Sequence, residues 1–399
     1  MKTVVLRIMM LVIAVTNALQ GFGDVQINGL YYYLYKNSPE DTILKARVSV
    51  ENSTHVKSGE LSISGDLQIP SEVEYDGLKW TVVLIDCNAF ADCTEITSVT
   101  IPATVEGFYY YNPDITNVTT AFNGCTSLKR ITVDTGNQWM CSVDGVLFSR
   151  DTTVLYQYPN GREGSYVVPP SVRRINSNAF RNSIGLSAIT IPDNVTELGN
   201  NILVNCPNLE KAVLPDHLTF LDCFAYCSSL TTVNVPASLR QIGTAAFFHC
   251  EKLQSFAIPD GVTDIGYEAF SGCSSLKTMT VPPSVTSMKD GVFSGCQLEK
   301  LLLYCRLGSY NKYGRRPLLG LSNETVVYAY TSEISLIEEV FSGVVLPIEE
   351  YIDGIAAPVE GYMPEDVGSS IYNLSGRIIE NRKLPKGVYI QNGRKFVVK

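Results

Sequence analysis

The sequence predicts a mainly β solenoid of about eight stacked 23-residue coils, with an N-terminal β cap, a β-hairpin insertion and a small C-terminal β module. Three observations carry this. The phrase "AFFHCEKLQSFAIPDGV", Ala246 to Val262, returns 23 residues later as "AFSGCSSLKTMTVPPSV", Ala269 to Val285. Anchored on its aromatic position, the phrase recurs at Phe90, Phe122, Phe180, Leu203, Phe224, Phe247, Phe270 and Phe293. Each copy then alternates apolar and polar residues up to a proline, as in Val99-Thr100-Ile101-Pro102. A fixed period in this range marks stacked supersecondary units, and alternation marks strands.

The elements follow in order. "MKTVVLRIMMLVIAVTNALQG" has a basic start at Lys2 and Arg7, an apolar run from Ile8 to Val15 and a small residue at Ala18. This predicts a secretory leader over residues 1–23, cut after Ala18 or Gly23. The run is far short of the ~20 residues that span a bilayer, and no later segment is long and apolar enough. The expected location is therefore secreted or cell surface, with no transmembrane segment after the leader is removed. Residues 24–79 lack the phrase but alternate ("TILKARVSV", "LSISGDLQIP") and turn at Asn28-Gly29. They read as a β cap, because the end of a solenoid exposes an apolar face. Tyr31 to Tyr35 read as ordinary strand residues.

Residues 80–346 carry the frame A-F-x-x-C-x-x-L-x-x-V-x-I-P-x-x-V-x-x-I-G. Its L-x-x-V-x-I stretch fits L-x-x-L-x-L, the strand of a leucine-rich repeat. Proline cannot donate to a ladder and stops that strand. A second short strand is expected at V-x-x-I-G. One coil cannot bury its own apolar edge, so neighbours must stack. Phe, Cys, Leu, Val and Ile would then form internal columns.

Seven of the eleven cysteines, Cys93, Cys125, Cys206, Cys227, Cys250, Cys273 and Cys296, share one frame position, and Ser183 fills it in the remaining copy. That pattern suits small buried side chains and free thiols. Local disulfides between Cys87 and Cys93 or Cys223 and Cys227 stay open at this point.

Two intervals are long. Phe90 to Phe122 is 32 residues, with an insert carrying Tyr109, Tyr110 and Tyr111. Phe122 to Phe180 is 58, with a hairpin insertion over about 136–170. Val146 to Phe148 and Val154 to Tyr158 flank a polar turn there, and the hairpin is expected to project, as a contact finger or a decorative loop. Residues 306–346 read as a degenerate last coil or end cap, with a strand at Val326 to Tyr330 and a helical stretch at Glu333 to Phe341. Residues 347–368 are acidic and rich in Gly and Pro, which suits a linker. Residues 369–399 hold short β runs, an Asn392-Gly393 turn and a basic end.

The phrases "AFADCTEITSVTIPATV", "AFSGCSSLKTMTVPPSV" and "SLRQIGTAAF" resemble the BspA-like leucine-rich repeat family over roughly Tyr75 to Tyr304. The tail resembles the C-terminal sorting tail of type IX secretion, on Gly387-Val388-Tyr389-Ile390 and Lys395 to Lys399. The resemblance implies a secreted or surface protein of Bacteroidetes-type bacteria, adhering to host matrix proteins, other cells or glycans. One departure is visible. The position of the asparagine ladder in leucine-rich repeats holds Thr104, Asn194, His217, Ser238, Gly261 and Ser284, so no inner asparagine ladder is expected.

Net charge is -9 without basic clusters, which argues against nucleic acid as a partner. There is no G-x-S-x-G, P-loop, H-E-x-x-H or EF-hand loop, and neither enzyme nor cofactor is expected. The chain lacks C-x-x-C, and its three histidines are scattered, so no metal site is expected. Glu338-Glu339 and Glu349-Glu350 read as a solvated face. What varies between copies is the outward pair of each strand. The candidate binding face is Ser98, Thr100, Arg130, Thr132, Thr190, Lys211, Thr232, Asn234, Ser255, Thr278, Thr280 and Lys300, completed by Ala188, Val213, Ala257 and Leu302. Tyr109, Tyr110 and Tyr111 form a second candidate surface. Ser and Thr suit hydrogen bonding to an extended partner, host or bacterial surface protein or glycan; Thr is equally a good strand residue. A structural surface coat whose repeats self-associate is the alternative function, and the oligomeric state stays open.

Overall fold

The computed structural model describes residues 22–36, 42–49, 63–109, 121–306 and 316–348, and the backbone of strands at 371–373, 387–391 and 394–398. The expected leader lies outside these residues except for its last two. β1 (Phe22–Ile27) turns into β2 (Leu30–Tyr35) at Asn28 and Gly29, whose φ values of 50° and 85° give the twist a two-residue hairpin requires. Along β2, Tyr32 and Leu34 point into the core while Tyr31, Tyr33 and Tyr35 are half-buried. β3 (Lys45–Ser49) pairs with β2.

β4 (Gly65–Gln68), β5 (Glu72–Tyr75) and β6 (Leu78–Asp86) come next. β5 and β6 complete the cap sheet, in the order β1-β2-β3-β6-β5. β4 does not join it. It runs parallel to β7 (Ile96–Ile101), the first strand of the repeat. The stretch Leu67-Gln68-Ile69-Pro70 is itself a copy of the V-x-I-P frame. β6 in turn pairs in parallel with β8 (Gly107–Tyr109), the second strand of the next coil. The cap therefore feeds both repeat ladders instead of sitting beside them.

β9 (Arg130–Val133) follows β7 in the ladder. The chain then forms an antiparallel meander of β10 (Met140–Val143), β11 (Val146–Ser149) and β12 (Val154–Gln157). The expected hairpin is present, but it does not project. All four β11 residues are buried, and β12 pairs in parallel with β14 (Arg174–Ile175), which follows β13 (Gly164–Val167). Val146, Leu147 and Phe148 are consecutive apolar residues, so both faces of β11 need cover.

A coil is concealed in the same segment. The Tyr158 amide donates to the Ala179 carbonyl at 2.8 Å, as Phe90 does to Ala121 and Phe224 to Ala246. Its ring lies 5.1 Å from that of Phe180. Tyr158 is thus an anchor, and the strand that follows, Tyr166-Val167-Val168-Pro169, keeps the frame.

Two parallel ladders run on from here. In the first, β13, β15 (Leu186–Thr190), β17 (Lys211–Val213) and β19 (Thr232–Val233) stack side by side. The second strands form β12, β14 and β16 (Glu197–Leu198), then β18 (Phe220–Leu221), β20 (Gln241–Ile242), β21 (Asp264–Ile265) and β23 (Ser287–Met288). The first ladder resumes in β22 (Thr278–Val281), β24 (Lys300–Leu303), β25 (Val326–Ala329) and β26 (Val345–Pro347). A 3-10 turn at Thr331–Glu333 and a one-turn helix at Ile334–Glu338 link its last two strands. Where a glycine follows a second strand, at Gly199, Gly243 and Gly266, it has a steric reason: a Cβ on Gly266 would stand 2.4 Å from the Thr244 amide of the preceding coil. Separately, β27 (Ile371–Asn373), β28 (Gly387–Gln391) and β29 (Arg394–Val398) form an antiparallel sheet. The Asn392-Gly393 turn and most of the linker lie outside the described residues.

The columns are clearest in the anchors. The Phe247 and Phe270 rings are 5.2 Å apart and 2° from parallel, and Phe90 and Phe122 are 5.5 Å apart at 4°. The cysteines form the next column. The Cys250 Sγ–H donates to the Phe224 carbonyl of the coil before at 3.1 Å, and Cys125, Cys206, Cys227, Cys273 and Cys296 repeat the bond at 3.0–3.1 Å. All eleven cysteines are free, so neither Cys87/Cys93 nor Cys223/Cys227 is a disulfide.

Candidate binding face

Parallel pairing sets the outward residues in two rows. Asp66, Ser98 and Arg130 are register partners across β4, β7 and β9, and Gln68, Thr100 and Thr132 run beside them. Beyond the meander, Ser165, Ala188, Lys211 and Thr232 continue the first row, with Val167, Thr190 and Val213 in the second. Thr278 and Lys300, and Thr280 and Leu302, pair in the last stretch. Ser255 and Ala257 are exposed in the stretch 253–259, where no strand forms. The ladder thus brings most of the candidate residues into register, in segments.

Their availability differs. Arg130, Thr132, Lys211, Thr232, Thr278 and Thr280 are exposed, and Thr100, Thr190 and Lys300 half-exposed. Ser98 is buried, and its hydroxyl donates to Asp66 at 2.6 Å. Thr97 donates to the same carboxylate, and these bonds, Ser98 first, hold Asp66 below the usual carboxylate range. Asn234 is committed to the backbone: its amide donates to the Leu214 carbonyl at 2.9 Å and accepts from the Leu214 N–H at 2.6 Å. It replaces the ladder bonds that β19 is too short to make. Leu302 is buried.

Tyr109 ends β8, and its ring covers the Arg47 guanidinium at 3.8 Å, with Tyr33 at 4.7 Å. Arg47 is held in turn by Asp86 at 2.5 Å, both side chains being buried. Tyr109 therefore seals a buried ion pair. Tyr110 and Tyr111 lie outside the described residues. Sequence reasoning missed Asp66, Gln68, Ser165 and Val167, although the V-x-I-P frame marks both strands.

Two of the positions where leucine-rich repeats carry an asparagine ladder bond to the coil before. Asn194 donates to the Pro170 and Val172 carbonyls, and Ser238 to those of Asp216 and Leu218. A different amide row does exist: Asn205 donates to the Asn182 Oδ1 at 2.7 Å, and Asn182 to the Asn123 Oδ1 at 2.8 Å.

Among the described residues, no group of three or more His, Cys, Asp and Glu side chains could hold a metal ion. No helix among them is long and apolar enough to cross a membrane.

The BspA type leucine-rich repeat region matches in six copies, over residues 77–139, 160–222 and 221–313, together more than half of the chain. Among solved structures, a leucine-rich repeat protein from Bacteroides ovatus is similar, at 22% identity and a TM-score of 0.46, covering 76% of this chain and 70% of that one. One from Eubacterium ventriosum is 22% identical with a TM-score of 0.43, and covers 58% of this chain; this chain spans 64% of its length. The pneumococcal vaccine antigen PcpA is 17% identical with a TM-score of 0.43, covering 82% and 98%. No curated protein matches.

Proposed function

The chain belongs to the BspA-type leucine-rich repeat family, and on that premise we propose that it is a non-enzymatic binding protein, secreted or held at the cell surface, that adheres to host matrix proteins, other cells or glycans. Residues 1–23 are its export leader, and the C-terminal strands its sorting tail. One observation carries the reading: the inward positions of the repeat are nearly constant, whereas the register-matched outward rows vary from coil to coil. A scaffold that only needed to stack would not require that variation. Repeat arrays use such extended faces to hold extended partners.

The test is solid-phase binding of the full chain to panels of matrix proteins and glycans, beside a variant with Thr132→Arg, Thr278→Arg and Thr280→Arg. These three residues are exposed, so the variant is expected to fold. A saturable hit lost in the variant supports recognition by the strand rows; a hit retained moves it elsewhere on the surface. The absence of any hit sinks the adhesive reading and leaves the surface coat. That second reading has one observation of its own. Among the described residues β26 is the last strand of the ladder; Leu346 within it is 37% exposed and Val344 just before it 53%, and an apolar edge of this kind favours self-association. Concentration-dependent light scattering would reveal it.

A further inference from the structure

At the eight anchors from Phe90 to Phe293 the chain turns through a left-handed residue two places later. The position holds Asp92, Gly124, Asn182, Asn205, Gly272 and Gly295, all residue types that tolerate positive φ. Two adjacent coils place aromatic rings there: His249 (φ 56°), a type that also tolerates this region, and Tyr226 (φ 62°), which breaks the rule. Their rings lie parallel, 3° apart with centroids at 5.7 Å, and Phe248 stands edge-on to both. Tyr226 is 50% exposed and the His249 side chain 46%. The ring contacts offset part of the backbone strain at Tyr226, yet half of that residue is left in water. Strain of this kind collects at functional sites.

We infer that Tyr226, His249 and Phe248 form a glycan subsite, an aromatic platform for the C–H face of a pyranose ring. This rests on the adhesive reading and adds a ligand class and a second place, on the turn edge beside the strand rows. Three features favour a sugar. The platform spans two coils, on the order of 10 Å at ~4.8 Å per coil. A patch of that width covers on the order of 100 Å², far below the roughly 800 Å² per partner of a protein interface, and it fits one or two sugar rings. Hydrogen-bond acceptors flank the rings. Asn205 ends the amide row one coil before Tyr226, and the Glu251 carboxylate lies 3.9 Å from the His249 Nδ1. On the far side Gly272 makes room for the His249 ring, since a Cβ there would stand 2.9 Å from that Nδ1. Aromatic faces with a few placed polar groups are the usual make-up of a small-ligand site.

The test compares the full chain with a Tyr226→Asn/His249→Asn variant in native gels containing mannan, xylan, β-glucan, pectin or mucin. Asparagine is the repeat's own residue at Asn182 and Asn205, so the variant is expected to melt no lower than the parent. The inference expects retardation by at least one polysaccharide, weakened tenfold or more in the variant, with the Thr278→Arg/Thr280→Arg chain unaffected. Unchanged retardation in the Asn variant overturns it. Loss only in the Thr variant also overturns it, while keeping adhesion by the strand rows. Binding to matrix proteins with no retardation by any polysaccharide has the same meaning. Silence in both assays sinks this inference and the adhesive reading together.

Discussion

The cysteine column is explained by the bond each sulfur makes. A thiol donates where a hydroxyl would also fit, and Ser183 occupies the same position in its coil. Burial pushes the Cys250 and Cys273 thiols well above their usual range, and those of Cys296 and Cys305 up to about 12. Thiolate, the reactive form, is therefore scarce at pH 8. A native chain treated with a disulfide reagent at pH 8 is expected to react first at half-exposed Cys141, and at all eleven thiols only after denaturation. Rapid labelling of Cys250 in the native chain would contradict the column. Asp222 poses the opposite problem. Burial raises its carboxyl above the usual range, and its own backbone amide offsets only part of this. The fold therefore prefers the neutral acid. The resulting contribution to stability is fully present below the unfolded value of about 3.9 and is lost as pH rises through the raised folded value. Asp222→Asn should then raise Tm at pH 7, with the gain shrinking as pH falls towards 4. Melting curves over that range decide it, and a gain that did not vary with pH would refute the assignment.

At the scale of the element, Asn137 starts the meander and is fully buried. Its amide donates to the Pro102 and Val105 carbonyls at 3.1 and 2.8 Å, and its Oδ1 accepts from the Trp139 and Met140 N–H groups, both at 2.9 Å. Each buried group left without a partner costs about 1–3 kcal/mol. Asn137→Ala should thus lose about 3 kcal/mol or more in urea denaturation, and an unchanged midpoint would show that the meander is dispensable. The meander is also where the sequence was hardest to read. Repeat strands were legible because Val, Ile and Pro keep their places. The coil at Tyr158 was not, because Tyr replaces Phe and Gly161 stands at the cysteine position. The backbone accounts for that glycine: a Cβ there would fall 2.3 Å from the Thr126 carbonyl. The strand Leu67-Gln68-Ile69-Pro70 kept its frame but lacked an anchor phrase before it, so it read as cap. For the candidate face, sequence gave position but not commitment. Asn234 and Ser98 look outward by count, yet one completes a short ladder and the other braces Asp66.

For the whole molecule, the architecture dictates how damage spreads. Each coil touches only its neighbours, so stability is a sum of coil terms and interface terms. Phe270→Ala removes a buried ring that stacks on Phe247 at 5.2 Å and on Phe293 at 5.9 Å, and should cost ~3–5 kcal/mol. Its partner at 5.2 Å, Phe247, shares that interface, whereas Phe90 is a member of another core cluster near the cap. Phe247→Ala combined with Phe270→Ala should therefore depart from additivity by ~0.5–3 kcal/mol, as side chains in contact do. Phe90→Ala combined with Phe270→Ala should add within about 0.5 kcal/mol. Urea denaturation of the three single and two double variants against the parent reads both couplings. Equal coupling at both separations would mean that the coils respond as one body, and would contradict the nearest-neighbour account on which the repeat rests.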